Sequence, residues 1–183
     1  MSQKQIITNG WLSGCRHLHS PYYSNRSENA EIALLVIHNI SLPRGDFLNG
    51  NISKLFLGYI EKDDALVGNH PIEVSAHLLI NRLGEVTQFV SFDLKAWHAG
   101  LSEFEGRKNC NDFSIGIELE GADDIEYTDV QYRVLNGLIE ILKSHYPLRH
   151  IVGHSDIAPS RKTDPGPAFD WARVNFTSDE GVS

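Results

Sequence analysis

Residues 32–39 read Ile-Ala-Leu-Leu-Val-Ile-His-Asn. An unbroken apolar run this short predicts a strand buried on both faces. The run closes on His38 and Asn39 and is followed by a loop through Pro43 and Gly45. The end of a buried strand is where open sheets place ligand sites. Taken alone, a histidine there is more often a core residue bonded to a neighbour.

Working outward, residues 113–120 (Phe-Ser-Ile-Gly-Ile-Glu-Leu-Glu) alternate strictly. Phe113, Ile115, Ile117 and Leu119 share one face of a strand; Ser114, Gly116, Glu118 and Glu120 share the other. Gly116 leaves room beside Glu118, as a glutamate reaching into a substrate pocket requires, although a strand with one solvated face has the same pattern. Residues 74–81 alternate as well and turn through Asn81-Arg82-Leu83-Gly84 into a second strand over 85–92, with His77 on the more polar face. Ile52, Leu55, Phe56, Tyr59 and Ile60 fall at helical spacing and predict an amphipathic helix over 52–62. A polar loop through Asp63, Asp64, Gly68, Asn69 and Pro71 follows it. Thr128 and Gln131 have capping-box spacing, and Val130, Val134, Leu135, Leu138, Ile141 and Leu142 form one stripe, so a helix runs from 128 to 145. Residues 1–30 read as irregular, pinned by Trp11, Leu12, Tyr22 and Tyr23, with His17 and His19 at the surface. Residues 96–110 read as a loop anchored by Trp97 that covers a ligand or packs as a connector. The tail over 177–183 reads as frayed. Strands and helices in mixed order predict an α/β fold, a mixed central β-sheet flanked by helices, in a single domain over 1–183.

The chain has 183 residues, a formal net charge of -8 and a pI near 5.5. That balance argues against nucleic acid or an anionic membrane as partner. No run approaches the roughly 20 apolar residues of a membrane span. Two distant cysteines, Cys15 and Cys110, allow one disulfide, but isolated thiols in a domain of this size more often mean a reducing compartment, and the first ten residues carry no secretory signal. A cytoplasmic monomer is the expectation.

Residues 153–167 (Gly-His-Ser-Asp-Ile-Ala-Pro-Ser-Arg-Lys-Thr-Asp-Pro-Gly-Pro) hold three prolines and read as a rigid loop. The step before Pro165 favours extended backbone, which puts Lys162 and Asp164 on one side of the chain. His154 and Asp164 are half of a zinc site, and His38 supplies a third ligand with one position left open, the count of catalytic rather than structural sites. Zinc so bound lowers the pKa of its water to roughly 7 and polarises a carbonyl. Glu118 then serves as proton acceptor and donor, and Lys162 holds an oxyanion. Ser155 beside His154 lacks an elbow motif, and neither HExxH nor a phosphate-cradling glycine loop occurs.

These residues resemble the zinc-dependent N-acetylmuramoyl-L-alanine amidases of the type-2 family. The similar stretches are 35–43, 74–77, 96–100, 110–121 and 153–171, most of the chain. The resemblance implies one Zn2+ per chain on His38, His154 and Asp164, with Glu118 and Lys162 catalytic. It implies a soluble anhydro-muropeptide as substrate, cut between the lactyl group of anhydro-muramic acid and L-alanine. Asn39, His77, Trp97, His98, Arg107 and Arg161 are then the candidate substrate contacts. Glu73 and Asn109 stand where the resemblance leads us to expect basic residues, so Arg107, Lys108 and Arg161 become the candidates for meeting stem-peptide carboxylates. Two other functions share the pattern: a lytic amidase of the intact wall, and a peptidoglycan-recognition module without catalysis.

Overall fold

The computed structural model describes residues 6–61, 64–65 and 73–176. Its strands and helices, in chain order, are β1 (Ile7–Thr8), β2 (Trp11–Leu12), β3 (Arg16–His17), β4 (Tyr23–Asn25), β5 (Leu34–Ile40), α1 (Asn51–Phe56), β6 (Leu78–Ile80), β7 (Val86–Gln88), β8 (Leu94–Ala96), β9 (Glu103–Phe104), β10 (Arg107–Lys108), β11 (Ser114–Glu120), α2 (Asp129–Lys143), β12 (His150–Gly153) and α3 (His154–Ile157). A 6-stranded sheet orders them β12-β5-β11-β6-β7-β3. Neighbours run parallel except β6 and β7, so the sheet is mixed, as the sequence predicts.

The two long strands explain the layers. Leu35, Ile37, Ile115, Ile117 and Leu119 face α2 and pack with Leu135, Leu138, Ile139 and Leu142 in one core. Leu34, Val36 and Phe113 pack on the opposite face with Ala99, Cys110 and Ile157. Both faces of β11 are buried along its whole length, which excludes the solvated-face reading of its alternation. Each fully buried Leu or Ile contributes roughly 1.5–3 kcal/mol, so these strands form the rigid floor on which the polar residues stand. Helix α2 begins at Thr128, whose hydroxyl accepts from the Gln131 backbone NH while the Gln131 side chain accepts from the Thr128 NH.

Several expectations need correction. The helix predicted over 52–62 stops at Phe56, because Gly58 takes a left-handed backbone (φ 74°) and Tyr59 turns out to solvent. The strands read over 74–81 and 85–92 pair only as β6 and β7. Residues 1–30 are not irregular throughout, since β3 joins the main sheet and β4 pairs with β8. The Tyr23 side chain is exposed and the residue is held through its backbone pairing with Ala96; Arg26 pins the segment by its side chain, donating to the carbonyls of Phe92, Asn111, Asp112 and Ser114. Residues 96–110 contain the β9–β10 hairpin, and the loop at 153–167 opens with one helical turn, α3. Asp63, Gly68, Asn69 and Pro71 of the polar loop and the tail over 177–183 lie outside the described residues. Among the described residues no helix is long and apolar enough to cross a membrane.

Candidate metal centre

Parallel register assembles the site. His38 on β5 lies beside Glu118 on β11, on the sheet face turned away from α2. Strand β12 flanks β5 on its other edge with Gly153 level with Ile37, so His154 arrives one step further on, next to His38. Asp164 comes from the loop after α3, which is pinned where the Ser155 NH donates to the Asp164 carbonyl at 2.9 Å. The Nδ1 atoms of His38 and His154 are 3.0 Å apart, and Asp164 Oδ2 lies 3.0 and 3.1 Å from them. The two imidazoles are 1% and 2% exposed and the carboxylate 14%.

The donor set fits a metal ion. Burial foremost holds the His38 imidazole down at about 4, against the pull of Asp164, so the ring is neutral at pH 7. Burial works to raise the Asp164 carboxyl, but the hydrogen-bonding imidazoles of His154 and His38 outweigh it and keep the group far below the ordinary carboxylate range. The other nitrogen of each ring is engaged elsewhere: His154 Nε2 lies 3.1 Å from the Ala99 carbonyl and His38 Nε2 2.9 Å from His98 Nδ1. Nitrogens held 2.0–2.1 Å from one tetrahedral zinc lie roughly 3.3 Å apart, close to the separations seen. These three residues are the cluster that could hold a metal among the described residues.

Glu118 stands over them, 8% exposed. Its Oε2 is buried without a hydrogen-bond partner among the described residues. Burial and then the Asp164 charge push its carboxyl well above the usual range, with Lys162 working in the opposite direction. An unsatisfied buried carboxyl oxygen costs roughly 1–3 kcal/mol, a cost usually met at sites that await a partner. A cleft of about 530 Å³ opens above these groups, lined also by Asn39, Arg44, Glu73, Trp97, Arg161 and Lys162. A larger groove of about 970 Å³ between α1 and α2 lies away from them and holds none of His38, His154 and Asp164.

The remaining candidates fall in different places. Asn39 lines the cleft but spends its amide on Asp123 and the Pro165 carbonyl. Trp97 and Arg161 line it too; the indole NH donates to Ser24 at 3.2 Å, and the guanidinium to the carbonyls of Ala99 and Leu101 at 2.6 and 2.8 Å. His77 does not reach the cleft: it is fully buried, its Nδ1 accepting from the Gly116 NH and its Nε2 meeting the Leu94 carbonyl. Arg107 sits on the exposed hairpin with its guanidinium over the Phe113 ring, and Lys108 is exposed beside it; neither lines the cleft. The room left by Gly116 is taken by His98, since a Cβ there would meet the His98 ring at 2.4 Å. Burial first, and then the neighbouring histidines, hold that ring far below the usual imidazole range, so it too is neutral. Asn111, which the sequence did not single out, accepts from the NH groups of His98 and Ala99 at 3.1 and 2.8 Å. Its only sequence signal is its place in the stretch 110–121.

Two imidazoles and a carboxylate gathered at the ends of parallel strands, with a buried carboxyl beside them in an open cleft, form the arrangement of a hydrolase that could hold a metal ion. The profile of the N-acetylmuramoyl-L-alanine amidase family matches residues 28–167. The chain belongs to that amidase family, which is zinc-dependent in general. It is 50% identical over 177 residues to the 1,6-anhydro-N-acetylmuramyl-L-alanine amidase AmpD of Escherichia coli (strain K12), covering 92% of this chain and 94% of that protein. A crystal structure of an AmpD derivative superposes with a TM-score of 0.84 at 49% identity, covering 92% and 96% of the two chains. The amidase AmiD from E. coli, solved in complex with anhydro-N-acetylmuramic acid-L-Ala-D-gamma-Glu-L-Lys, gives a TM-score of 0.62 at 26% identity, covering 93% of this chain and 64% of that one.

Proposed function

We propose that this amidase hydrolyses the amide between the lactyl group of 1,6-anhydro-N-acetylmuramic acid and L-alanine in soluble muropeptides. The observation that carries the reading is the convergence of His38, His154 and Asp164 in one cleft with Glu118, whose buried Oε2 has no hydrogen-bond partner among the described residues. Identity of 50% to AmpD across 92% of the chain supports the choice of substrate.

In this reading His38, His154 and Asp164 hold one Zn2+ per chain. When bound, the ion supplies a Lewis acid that acidifies water and polarises the scissile carbonyl. Glu118 accepts the proton of the attacking water; the water oxygen adds to the carbonyl carbon, the C–N bond breaks, and Glu118 returns the proton to the departing nitrogen of L-alanine. Its raised proton affinity suits both halves of that task, and the nearby positive charge of Lys162 keeps the ionised form within reach. Lys162 also faces the negative charge that develops on the carbonyl oxygen. Trp97, Asn39 and Arg161 form walls of the cleft rather than chemical participants. The free thiols of Cys15 and Cys110 support a cytoplasmic setting.

A defined anhydro-muropeptide incubated with zinc-loaded enzyme should yield free stem peptide and the anhydro-sugar acid by mass spectrometry. Faster release from whole sacculi would favour a wall-lytic amidase instead. Binding without product would favour a recognition module.

A further inference from the structure

We propose that the strap formed by His98 and Ala99 sets the tautomer of both metal-binding imidazoles, with His98 as a positioning residue acting through His38. The inference rests on the metal reading of the site. It follows from counting protons. The Cys110 carbonyl can only accept, and it lies 2.6 Å from the Ser114 hydroxyl, which therefore commits its proton there. Ser114 Oγ is left to accept, and His98 Nε2 stands 3.3 Å away. A neutral imidazole has one proton, so with Nε2 donating, His98 Nδ1 carries a lone pair. That lone pair meets His38 Nε2 at 2.9 Å and draws the His38 proton there; the Asp164 carboxylate, 3.0 Å from Nδ1, draws it the other way until an ion takes the Nδ1 lone pair, so in the metal-bound protein the proton sits on Nε2. His38 Nδ1 is then bare and faces His154 Nδ1 and Asp164.

The second imidazole is treated alike. The Ala99 carbonyl, 3.1 Å from His154 Nε2, can only accept and is nearer than the Arg161 guanidinium at 3.5 Å, so in the metal-bound protein His154 also donates outward and keeps Nδ1 bare. Both protons thus point into the strap and both lone pairs toward the shared point. The strap is itself fixed: Asn111 Oδ1 accepts from both its NH groups, and Arg161 donates to the Ala99 carbonyl at 2.6 Å. Gly116 gives His98 the space to lie flat on β11. Outer partners of this kind orient metal-binding histidines in general, and their loss typically costs 10–100-fold in metal affinity.

Two measurements test this. In zinc-loaded protein with 15N-labelled histidine, His98 and His38 should both carry their proton on Nε2; an Nδ1–H proton on His98 would overturn the proposal. In a zinc competition titration, His98→Leu should bind roughly 10–100-fold more weakly than wild type, and His98→Asn, whose Oδ1 accepts about where Nδ1 did, should recover most of that loss. His98→Leu binding zinc as wild type does would also overturn it. Should His98→Leu not fold, Ser114→Ala takes its place, with a weaker loss of affinity expected and wild-type affinity counting against the relay. Wild type that takes up no zinc refutes the metal reading itself, whereas wild type that takes up zinc with an Nδ1–H proton on His98 refutes the relay alone.

Discussion

Glu118 shows how one side chain can be legible in chemistry and hidden in circumstance. Its place on the face with Gly116 follows from strand parity, but the reason for the glycine does not: the space serves His98, not a ligand. Parity reveals which face a residue takes and says nothing of what crosses over to meet it. Glu118→Gln should retain zinc while losing roughly 10²–10⁴-fold in turnover, checked by metal analysis and single-turnover kinetics on one preparation; wild-type turnover would remove Glu118 from the proton path. His77 gives a pH prediction. Burial foremost, with Arg26 next to it, holds its imidazole down at about 3, so between that value and the ordinary 6.5 the unfolded chain binds a proton that the folded chain does not. Stability is therefore fully present above 6.5 and falls as pH drops through this window, by about 2 kcal/mol at pH 5 for this one group. Urea midpoints of metal-free protein at pH 7 and 5 measure it, and His77→Gln should flatten the slope; an equal slope in the variant would contradict the assignment.

At the scale of elements, the long and strongly patterned pieces were readable and the short ones were not. Strands β5 and β11 and helix α2 carry enough residues for a period to emerge, and Thr128 with Gln131 marks the start of α2. Strands of two or three residues, such as β3 and β4, owe their existence to partners far away in sequence, so local pattern cannot reveal them. Helical spacing outruns α1 itself because Tyr59 and Ile60 keep the period after Gly58 has already turned the backbone. Thr128→Ala removes both the hydroxyl acceptor and half of the reciprocal cap of α2, and should cost about 1 kcal/mol, seen as a lower Tm with unchanged zinc affinity. Gly116→Ala belongs to β11 and acts differently. Its Cβ would press on the His98 ring, costing roughly 1–3 kcal/mol, and zinc affinity should fall along with stability; a variant that loses stability alone would mean His98 can shift without disturbing His38.

Across the whole molecule, residues 116 and 126 positions apart meet because parallel strands β12, β5 and β11 lie side by side and all present their carboxyl ends to one cleft. The three ligand candidates were legible in the sequence because His38 stands near the end of a buried strand, and His154 and Asp164 share one short proline-rich loop. The outer layer of Ala99, Asn111 and Ser114 was not, since it works through backbone carbonyls and single hydrogen bonds that no residue type announces. The central claim is that His38, His154 and Asp164 bind one ion and that the reaction depends on it. The direct test measures zinc per chain and product from a defined anhydro-muropeptide, for wild type, chelated and reconstituted enzyme, and Asp164→Ala. We expect about one zinc per chain, activity lost on chelation and regained with zinc, and neither metal nor product in the variant. Full turnover by metal-free protein, or stoichiometric zinc in Asp164→Ala, would contradict the account.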